Sequence, residues 1–218
     1  MEWRRKIRLN RHLAVLAFSL LLLGIFVYLL RQALGNGLHA FDEQVMAAVK
    51  AQRSFRLTRI FLEVTALGSF PVLFLECIGV LLLLGLAGRW LHFWQLLFVS
   101  LGGFGLMELI KWLVGRERPP LADQLDVVSG YSFPSGHSSS SSGIYFTLAF
   151  FLLPLLPSDL GRGLWLGWVG LFVSLIAASR VYLGVHYLTD AGAGFCLGTG
   201  LACLSHLLFH KPWKQDRP

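Results

Sequence analysis

Three short polar clusters interrupt a chain that is otherwise strongly apolar. Between them, Lys111, Arg118 and Arg180 supply three positive charges. Guanidinium groups match phosphate oxygens in bidentate geometry, and a lysine ammonium adds a point charge. Ser135 offers a hydroxyl, and Gly136 lets the backbone approach a ligand closely at the expected start of a helix, where amide groups attract anions. These residue types predict a site for a phosphoryl group.

Two histidines accompany the cations. His186 is followed four residues later by Asp190, a spacing that puts both side chains on one side of a helix that begins near His186. A carboxylate there would fix the imidazole tautomer, so His186 is the better nucleophile. His137 has no carboxylate at short range, and is therefore the better proton donor to a leaving oxygen.

The composition decides which elements must position these clusters. The chain has 218 residues, 55% hydrophobic and only 14% charged, with a mean hydropathy of +0.63, whereas soluble domains carry roughly 25% charged residues. We therefore predict an all-α integral membrane bundle, a single domain over residues 1–218. Its six transmembrane spans are expected at about residues 13–30, 70–86, 93–114, 139–156, 164–182 and 189–209.

The segment between the first two spans is mixed in character. Phe41, Val45, Ala48 and Val49 recur at helical spacing, which favours a short amphipathic helix at the membrane interface, and the alternative is a solvated loop. The first span follows a basic start, as a signal peptide would, and the residues from Ala33 resemble a cleavage site. Its apolar stretch is longer than that of a usual signal peptide, so we expect an uncleaved span.

Counting six spans brings the polar clusters to one face of the bundle. The third and fifth spans end there, and the fourth and sixth begin there. Basic residues number ten on one side and nine on the other, but four of the nine are Lys111, Arg116, Arg118 and Arg180, which lie in or beside the predicted site. Without them the count favours cytoplasmic termini and a site at the outer face.

Other charged and sulfur-containing residues have simpler interpretations. The net charge of +7 does not indicate nucleic-acid binding, because five basic residues precede the first span, which is typical of a topology signal. Three cysteines lie in apolar runs without metal-ligand spacing, which indicates core packing: Cys77, Cys196 and Cys203.

Several polar residues near the clusters leave alternatives open. The run Ser138–Ser142 either lets the fourth span pack closely or supplies phosphate donors, with Ser138 the best candidate donor. Glu76 and Glu108 either pair between helices or shape the site. Arg116 and Glu117 are expected to be solvated loop charges. Asp123, Asp126 and Tyr131 are weak candidates for the entrance.

Together the clusters resemble a known family. They match the three-part signature of the type 2 phosphatidic acid phosphatase superfamily. The first part is Lys, six residues and Arg-Pro, and the second is Pro-Ser-Gly-His. The third is Ser-Arg, five residues, His, three residues and Asp. The resemblance covers about residues 13–209. It implies a six-helix membrane fold and phosphatase chemistry through phosphohistidine without a cofactor or metal, and a bacterial inner-membrane location is expected.

The resemblance also implies roles for individual residues. His186 is the nucleophile, Asp190 its orienting acid and His137 the general acid. The remaining signature positions bind phosphate: Lys111, Arg118, Ser135, Gly136, Ser179 and Arg180. Vanadate-dependent haloperoxidases share the signature but are soluble, so the apolar spans argue against them.

The expected partner is a lipid phosphate held in the bilayer, with no nucleic acid. Undecaprenyl diphosphate, phosphatidylglycerophosphate and phosphatidic acid are all compatible, and for a bacterial source they rank in the order undecaprenyl diphosphate, then phosphatidylglycerophosphate. A lipid-to-lipid phosphotransferase remains an alternative. A non-enzymatic phospholipid transporter is another, although it needs neither two histidines nor an orienting aspartate.

Overall fold

The computed structural model describes residues 2–209, with side chains from residue 9 onward, and in that range it contains no strand. Its nine α-helices are α1 (Glu2–Leu34), α2 (His39–Ala51), α3 (Phe55–Ala66), α4 (Phe70–Leu86), α5 (Trp90–Leu97), α6 (Gly103–Val114), α7 (Gly136–Leu152), α8 (Asp159–Tyr182) and α9 (Leu188–Leu208). A π-helical segment, Phe98–Gly102, joins α5 to α6, and short 3-10 turns lie at Leu121–Asp123 and Leu153–Leu155.

Six helical segments of the described chain are long and apolar enough to cross a membrane, which confirms the predicted fold class. They are Leu9–Leu34, Phe55–Leu86, Trp90–Val114, Gly136–Leu155, Asp159–Tyr182 and Leu188–Leu208. The fourth begins three residues earlier than predicted, because Ser135 occupies the N-cap of α7 and its Oγ accepts a hydrogen bond from the Ser138 amide. The helix therefore starts at Gly136, inside the signature.

Two helices, α2 and α3, lie between the first span and α4. Helix α3 and α4 together form the second apolar segment, which therefore begins at Phe55 and not near residue 70 as predicted. The amphipathic segment predicted around Val45 is α2, and the structure adds α3, which Ser54 caps by accepting a hydrogen bond from the Leu57 amide. The Thr58 hydroxyl of α3 lies 3.2 Å from that of Tyr182, at the end of α8. The helices exclude a solvated loop at this point of the chain.

The centre of the bundle is the contact between α7 and α9. A Cβ at Gly194 would lie 2.5 Å from the Ser135 carbonyl, and one at Gly198 would lie 2.1 Å from the Ser139 carbonyl, so only glycine fits at either position. Ser138, Ser139, Ser141 and Ser142 are buried along this contact. The serine run thus serves close helix packing, as small residues do in membrane bundles.

The first span belongs to the same core. Leu22 and Phe26 of α1 pack against Ala193 and Leu197 of α9, and the Ser19 hydroxyl donates a hydrogen bond of 2.9 Å to the Gly200 carbonyl. The basic residues used for the topology prediction at the termini lie outside the side chains that the structure describes: Arg4, Arg5, Lys6, Arg8, Lys211, Lys214 and Arg217.

Candidate active site

His186 lies in the short turn between α8 and α9, with its side chain 3% exposed. Its Nε2 is 3.0 Å from Nη1 of Arg118. A guanidinium can only donate hydrogen bonds, so Nε2 must be the unprotonated nitrogen of the neutral ring and Nδ1 carries the proton. The nitrogen that could attack phosphorus is therefore the unprotonated one, and its lone pair accepts a hydrogen bond from the Arg118 guanidinium.

A serine, Ser132, connects Asp190 to His186. Asp190 Oδ2 is 3.8 Å from His186 Nδ1, too long for a hydrogen bond, and it accepts hydrogen bonds from the Ser132 hydroxyl at 2.5 Å and the Tyr187 amide at 3.0 Å. The Ser132 Oγ lies 3.3 Å from His186 Nδ1. Because α9 begins at Leu188, helical spacing from His186 does not bring the pair together. Asp190 instead folds back over the first turn of α9.

Arg180 is fully buried at the end of α8. Its Nη1 donates to the Thr65 hydroxyl at 2.6 Å and to Asp126 Oδ2 at 3.0 Å, whereas Nε and Nη2 have no hydrogen-bond partner among the described residues. Buried donors without partners are costly, so a guanidinium left in this state is prepared to bind an anion. Asp126, a weak candidate for the entrance, is here the ion-pair partner of this cation.

The start of α7 lies next to these cations. A Cβ at Gly136 would be 3.7 Å from Lys111 Nζ, so the ammonium lies over this glycine. The Ser135 amide donates to the Asp190 carbonyl at 3.0 Å. His137 is half-buried, and its electrostatic neighbours are Arg180, His186, Lys111 and Arg118. The three sequence clusters thus form one site.

The remaining predicted residues lie farther from the reactive atoms. The Ser179 hydroxyl donates to the Ile176 carbonyl of its own helix at 2.5 Å, so its proton is engaged within α8. Glu108 pairs with Lys111 at 3.8 Å and borders the site. Glu76 lies 3.3 Å from the Tyr145 hydroxyl, between α4 and α7. Of the two glutamates whose roles were left open, Glu108 lies beside the site and Glu76 forms a contact between helices.

Arg116 was expected in solvent, and this prediction is wrong. Its side chain is only 8% exposed and forms ion pairs with Asp190 at 2.6 Å and with Asp42 at 2.7 Å. Glu117 shows the contrast, since it is exposed as predicted. Arg116 was misjudged because its partner Asp42 lies 74 residues earlier in the chain.

Sequence reasoning also missed Asp42, Ser132 and Thr65. One signal was available for Asp42: at helical spacing it shares a face with Val45, Met46 and Val49, and an acid on an apolar face requires a buried partner. Ser132 and Thr65 carry no comparable signal, because single hydroxyl residues are common in loops and at helix ends.

Burial and neighbouring charge set the protonation of the nucleophile. Burial is the largest cause that lowers the pKa of His186, to about 4, and the positive charges of Arg118 and Arg180 act in the same direction. The nearby negative charge of Asp190 opposes the shift. His186 is therefore neutral at pH 7, as a nucleophile must be.

Comparison with known proteins identifies the family of this chain. The family model described as the PAP2 superfamily matches residues 92–214. The chain is 32% identical over 171 residues to phosphatidylglycerophosphatase B of Bacillus subtilis, covering 75% of this chain and 80% of that protein. It is 35% identical over 137 residues to decaprenylphosphoryl-5-phosphoribose phosphatase of Mycobacterium tuberculosis, covering 59% and 71%.

A solved structure shows the same architecture. The crystal structure of a transmembrane PAP2-type phosphatidylglycerolphosphate phosphatase from Bacillus subtilis superimposes with a TM-score of 0.77 at 29% identity, covering 91% of this chain and 98% of that one. The family match includes every signature residue from Lys111 to Asp190. The chain therefore belongs to the PAP2 superfamily, and it is an integral membrane phosphatase.

Proposed function

We propose that this enzyme removes phosphate from the head group of a membrane lipid by a metal-independent, two-step mechanism through phosphohistidine. The observation that carries the proposal is the 3.0 Å contact between Arg118 Nη1 and His186 Nε2. It fixes the tautomer in which Nε2 carries the lone pair, and it puts a cation next to that nitrogen, where the guanidinium can bind the phosphate instead and release the lone pair for attack.

In the first step, the lone pair of His186 Nε2 attacks phosphorus, and the bond from phosphorus to the lipid oxygen breaks. His137 donates a proton to that oxygen as it leaves. Arg180, with two unpartnered donors, and Lys111 stabilise negative charge on the non-bridging oxygens, together with Arg118. The products of this step are the dephosphorylated lipid and phosphohistidine.

In the second step, His137 takes a proton from water, and the oxygen of that water attacks phosphorus. The bond between phosphorus and Nε2 breaks, which releases inorganic phosphate and regenerates neutral His186. The Nδ1 proton stays directed at the Ser132 oxygen throughout, so the ring keeps one orientation. At the start of α7, Gly136 contributes a backbone amide that can bind the same anion, whereas the Ser135 amide is bonded to the Asp190 carbonyl.

We propose phosphatidylglycerophosphate as the first substrate to test, ahead of undecaprenyl diphosphate and phosphatidic acid. The support is the relationship to proteins named phosphatidylglycerophosphatase, one of them similar over almost its whole structure. All three lipids share an apolar tail and a terminal phosphate. The proposed site faces the outer side of a bacterial inner membrane, with both termini cytoplasmic.

The test is phosphate release by the purified protein in detergent with EDTA, using these three lipids. Release that persists in EDTA and is lost in His186→Ala supports the proposal. No release from any lipid phosphate would refute hydrolysis, and loss in EDTA would refute the metal-free mechanism. Transfer of labelled phosphate to an added lipid alcohol instead of water would identify the phosphotransferase alternative.

A further inference from the structure

The side of Asp190 that faces away from His186 is occupied by a buried network of charges. Asp190 Oδ1 accepts a hydrogen bond of 2.6 Å from Arg116 Nη1, and the other end of the same guanidinium donates to Asp42 Oδ2 at 2.7 Å. Asp42 and Asp190 are both fully buried. One arginine therefore bridges two carboxylates from distant parts of the chain.

The network is fixed at every corner. Thr189 donates its amide to Asp42 Oδ1 at 3.0 Å and its hydroxyl to Asp42 Oδ2 at 2.5 Å. Because Thr189 lies in the first turn of α9, the Asp42 carboxylate caps that helix from another part of the chain. The Arg116 guanidinium also lies 4.5 Å from the centre of the Tyr187 ring. Neither Asp42 nor Arg116 has freedom to turn.

This geometry leaves Asp190 one orientation. Because Oδ1 is bound to Arg116, Oδ2 is directed to the Ser132 hydroxyl and to the amide of Tyr187, which is the residue after His186. A carboxylate that could rotate would change both contacts and release the imidazole. Arg116 touches no reactive atom, so its influence on the nucleophile passes through Asp190.

We propose that Arg116 and Asp42 are positioning residues, which hold Asp190, and through it Ser132 and His186, in the orientation that attack on phosphorus requires. The inference rests on the proposed phosphohistidine function. It also gives α2 a role in the reaction, because Asp42 ties that helix to the turn that carries the nucleophile. A purely structural ion pair would stabilise the fold without affecting turnover by the folded enzyme.

The test compares Arg116→Lys and Asp42→Asn with a matched pair at the other end of the bundle. Arg162 and Asp159 also form an arginine–aspartate ion pair, 3.1 Å apart, with Arg162 partly exposed and Asp159 exposed and also paired with Arg11. Arg162→Lys and Asp159→Asn are therefore the controls. Each variant is checked for a single gel-filtration species and for Tm. Turnover of the lipid phosphate and the Kd values of vanadate and inorganic phosphate are then measured, the Kd values by calorimetry.

We expect Arg116→Lys to lower kcat at least about 10-fold with KM changed less than about threefold, since the phosphate contacts are intact. Vanadate takes His186 as an axial ligand in a five-coordinate mimic of the transition state, so its Kd rises about 10-fold while that of inorganic phosphate changes little. We expect Asp42→Asn to lower kcat and to raise the vanadate Kd less than Arg116→Lys does. The kcat of the double variant is at most about threefold below that of Arg116→Lys. The controls match wild type.

The inference is overturned if Arg116→Lys keeps both kcat and the vanadate Kd within twofold of wild type, even if its Tm falls. It is also overturned if KM and the Kd of inorganic phosphate rise as much as the Kd of vanadate. If wild type binds vanadate but hydrolyses no lipid phosphate, the proposed function fails, and the vanadate comparison still decides the inference. If wild type does not bind vanadate, both are overturned.

Discussion

At the scale of residues, the site combines a neutral nucleophile with cations that are incompletely paired. His186 is held by Arg118 on one nitrogen and by Ser132 on the other, and two donors of Arg180 have no partner within residues 9–209. Buried cations of this kind cost stability in the absence of an anion. The arrangement does not serve stabilisation of the fold, and it is what the proposed binding of a phosphoryl group requires.

The buried neutral state of His186 predicts an acid-dependent loss of stability. Its pKa is about 4 in the folded protein, below the ordinary value of 6.5. The unfolded chain therefore binds the proton first as pH falls, so stability present above about pH 6.5 is lost between pH 6.5 and about 4. From pH 7 to 4.5 this group alone removes about 2 kcal/mol.

We expect the Tm of wild type in detergent to fall by roughly 4 to 8 °C more than that of His186→Gln over this pH interval. Glutamine keeps a polar side chain of similar reach but cannot take up the proton. Equal acid sensitivity of the two proteins would show that His186 is not the group that titrates.

At this scale, sequence patterns predicted the residues of the site better than the contacts that hold those residues in place. Lys111 and Arg180 are conspicuous because charges are rare in the spans, and Arg118 is identified by its signature spacing from Lys111. Arg116 looked solvated because its neighbours in the chain are polar, and the decisive partner, Asp42, is contributed by another helix. Pairings between distant residues depend on the folded arrangement of helices, which local patterns do not specify.

At the scale of elements, close contact between α7 and α9 places the start of α7 beside Asp190. Hydropathy predicted both spans, but the extent of their approach depends on the small residues that face each other. Helix α3 was not predicted because Arg56 and Arg59 interrupt its apolar residues. An amphipathic helix lacks the long apolar run by which hydropathy identifies a span.

This contact predicts different effects for two glycine-to-alanine changes. A Cβ at Gly198 would lie 2.1 Å from the backbone of α7, so we expect Gly198→Ala to cost about 3 kcal/mol and to lower Tm and activity together. Gly79 of α4 has no atom within 4 Å of a built Cβ, so Gly79→Ala is neutral or slightly stabilising. Similar Tm values for the two variants would contradict the packing described for α7 and α9.

At the scale of the whole molecule, six spans bring polar clusters from distant parts of the sequence to one end of the bundle. The number of spans predicted this result without knowledge of orientation, because it holds for either direction of insertion. The described structure shows the shared end directly, through contacts such as Arg118 with His186. The side of the membrane that this end faces is predicted from basic residues alone.

Cysteine labelling in intact cells measures that orientation. Val127 is 99% exposed in the loop at the active-site end, and Pro157 is exposed between α7 and α8 at the other end. We expect Val127→Cys to react with a membrane-impermeant maleimide in intact cells, and Pro157→Cys only after permeabilisation. The native cysteines are buried and provide a low background. The reverse pattern would place the site in the cytoplasm.

The most direct test of the phosphohistidine mechanism is to trap the intermediate on His186. The enzyme is mixed with a lipid labelled with ³²P in its terminal phosphate, quenched in denaturant within one turnover, and digested for mass spectrometry. We predict an acid-labile, base-stable label on the peptide that contains His186 in wild type, and none in His186→Ala. Turnover without a labelled intermediate, or a label on another residue, would contradict the mechanism.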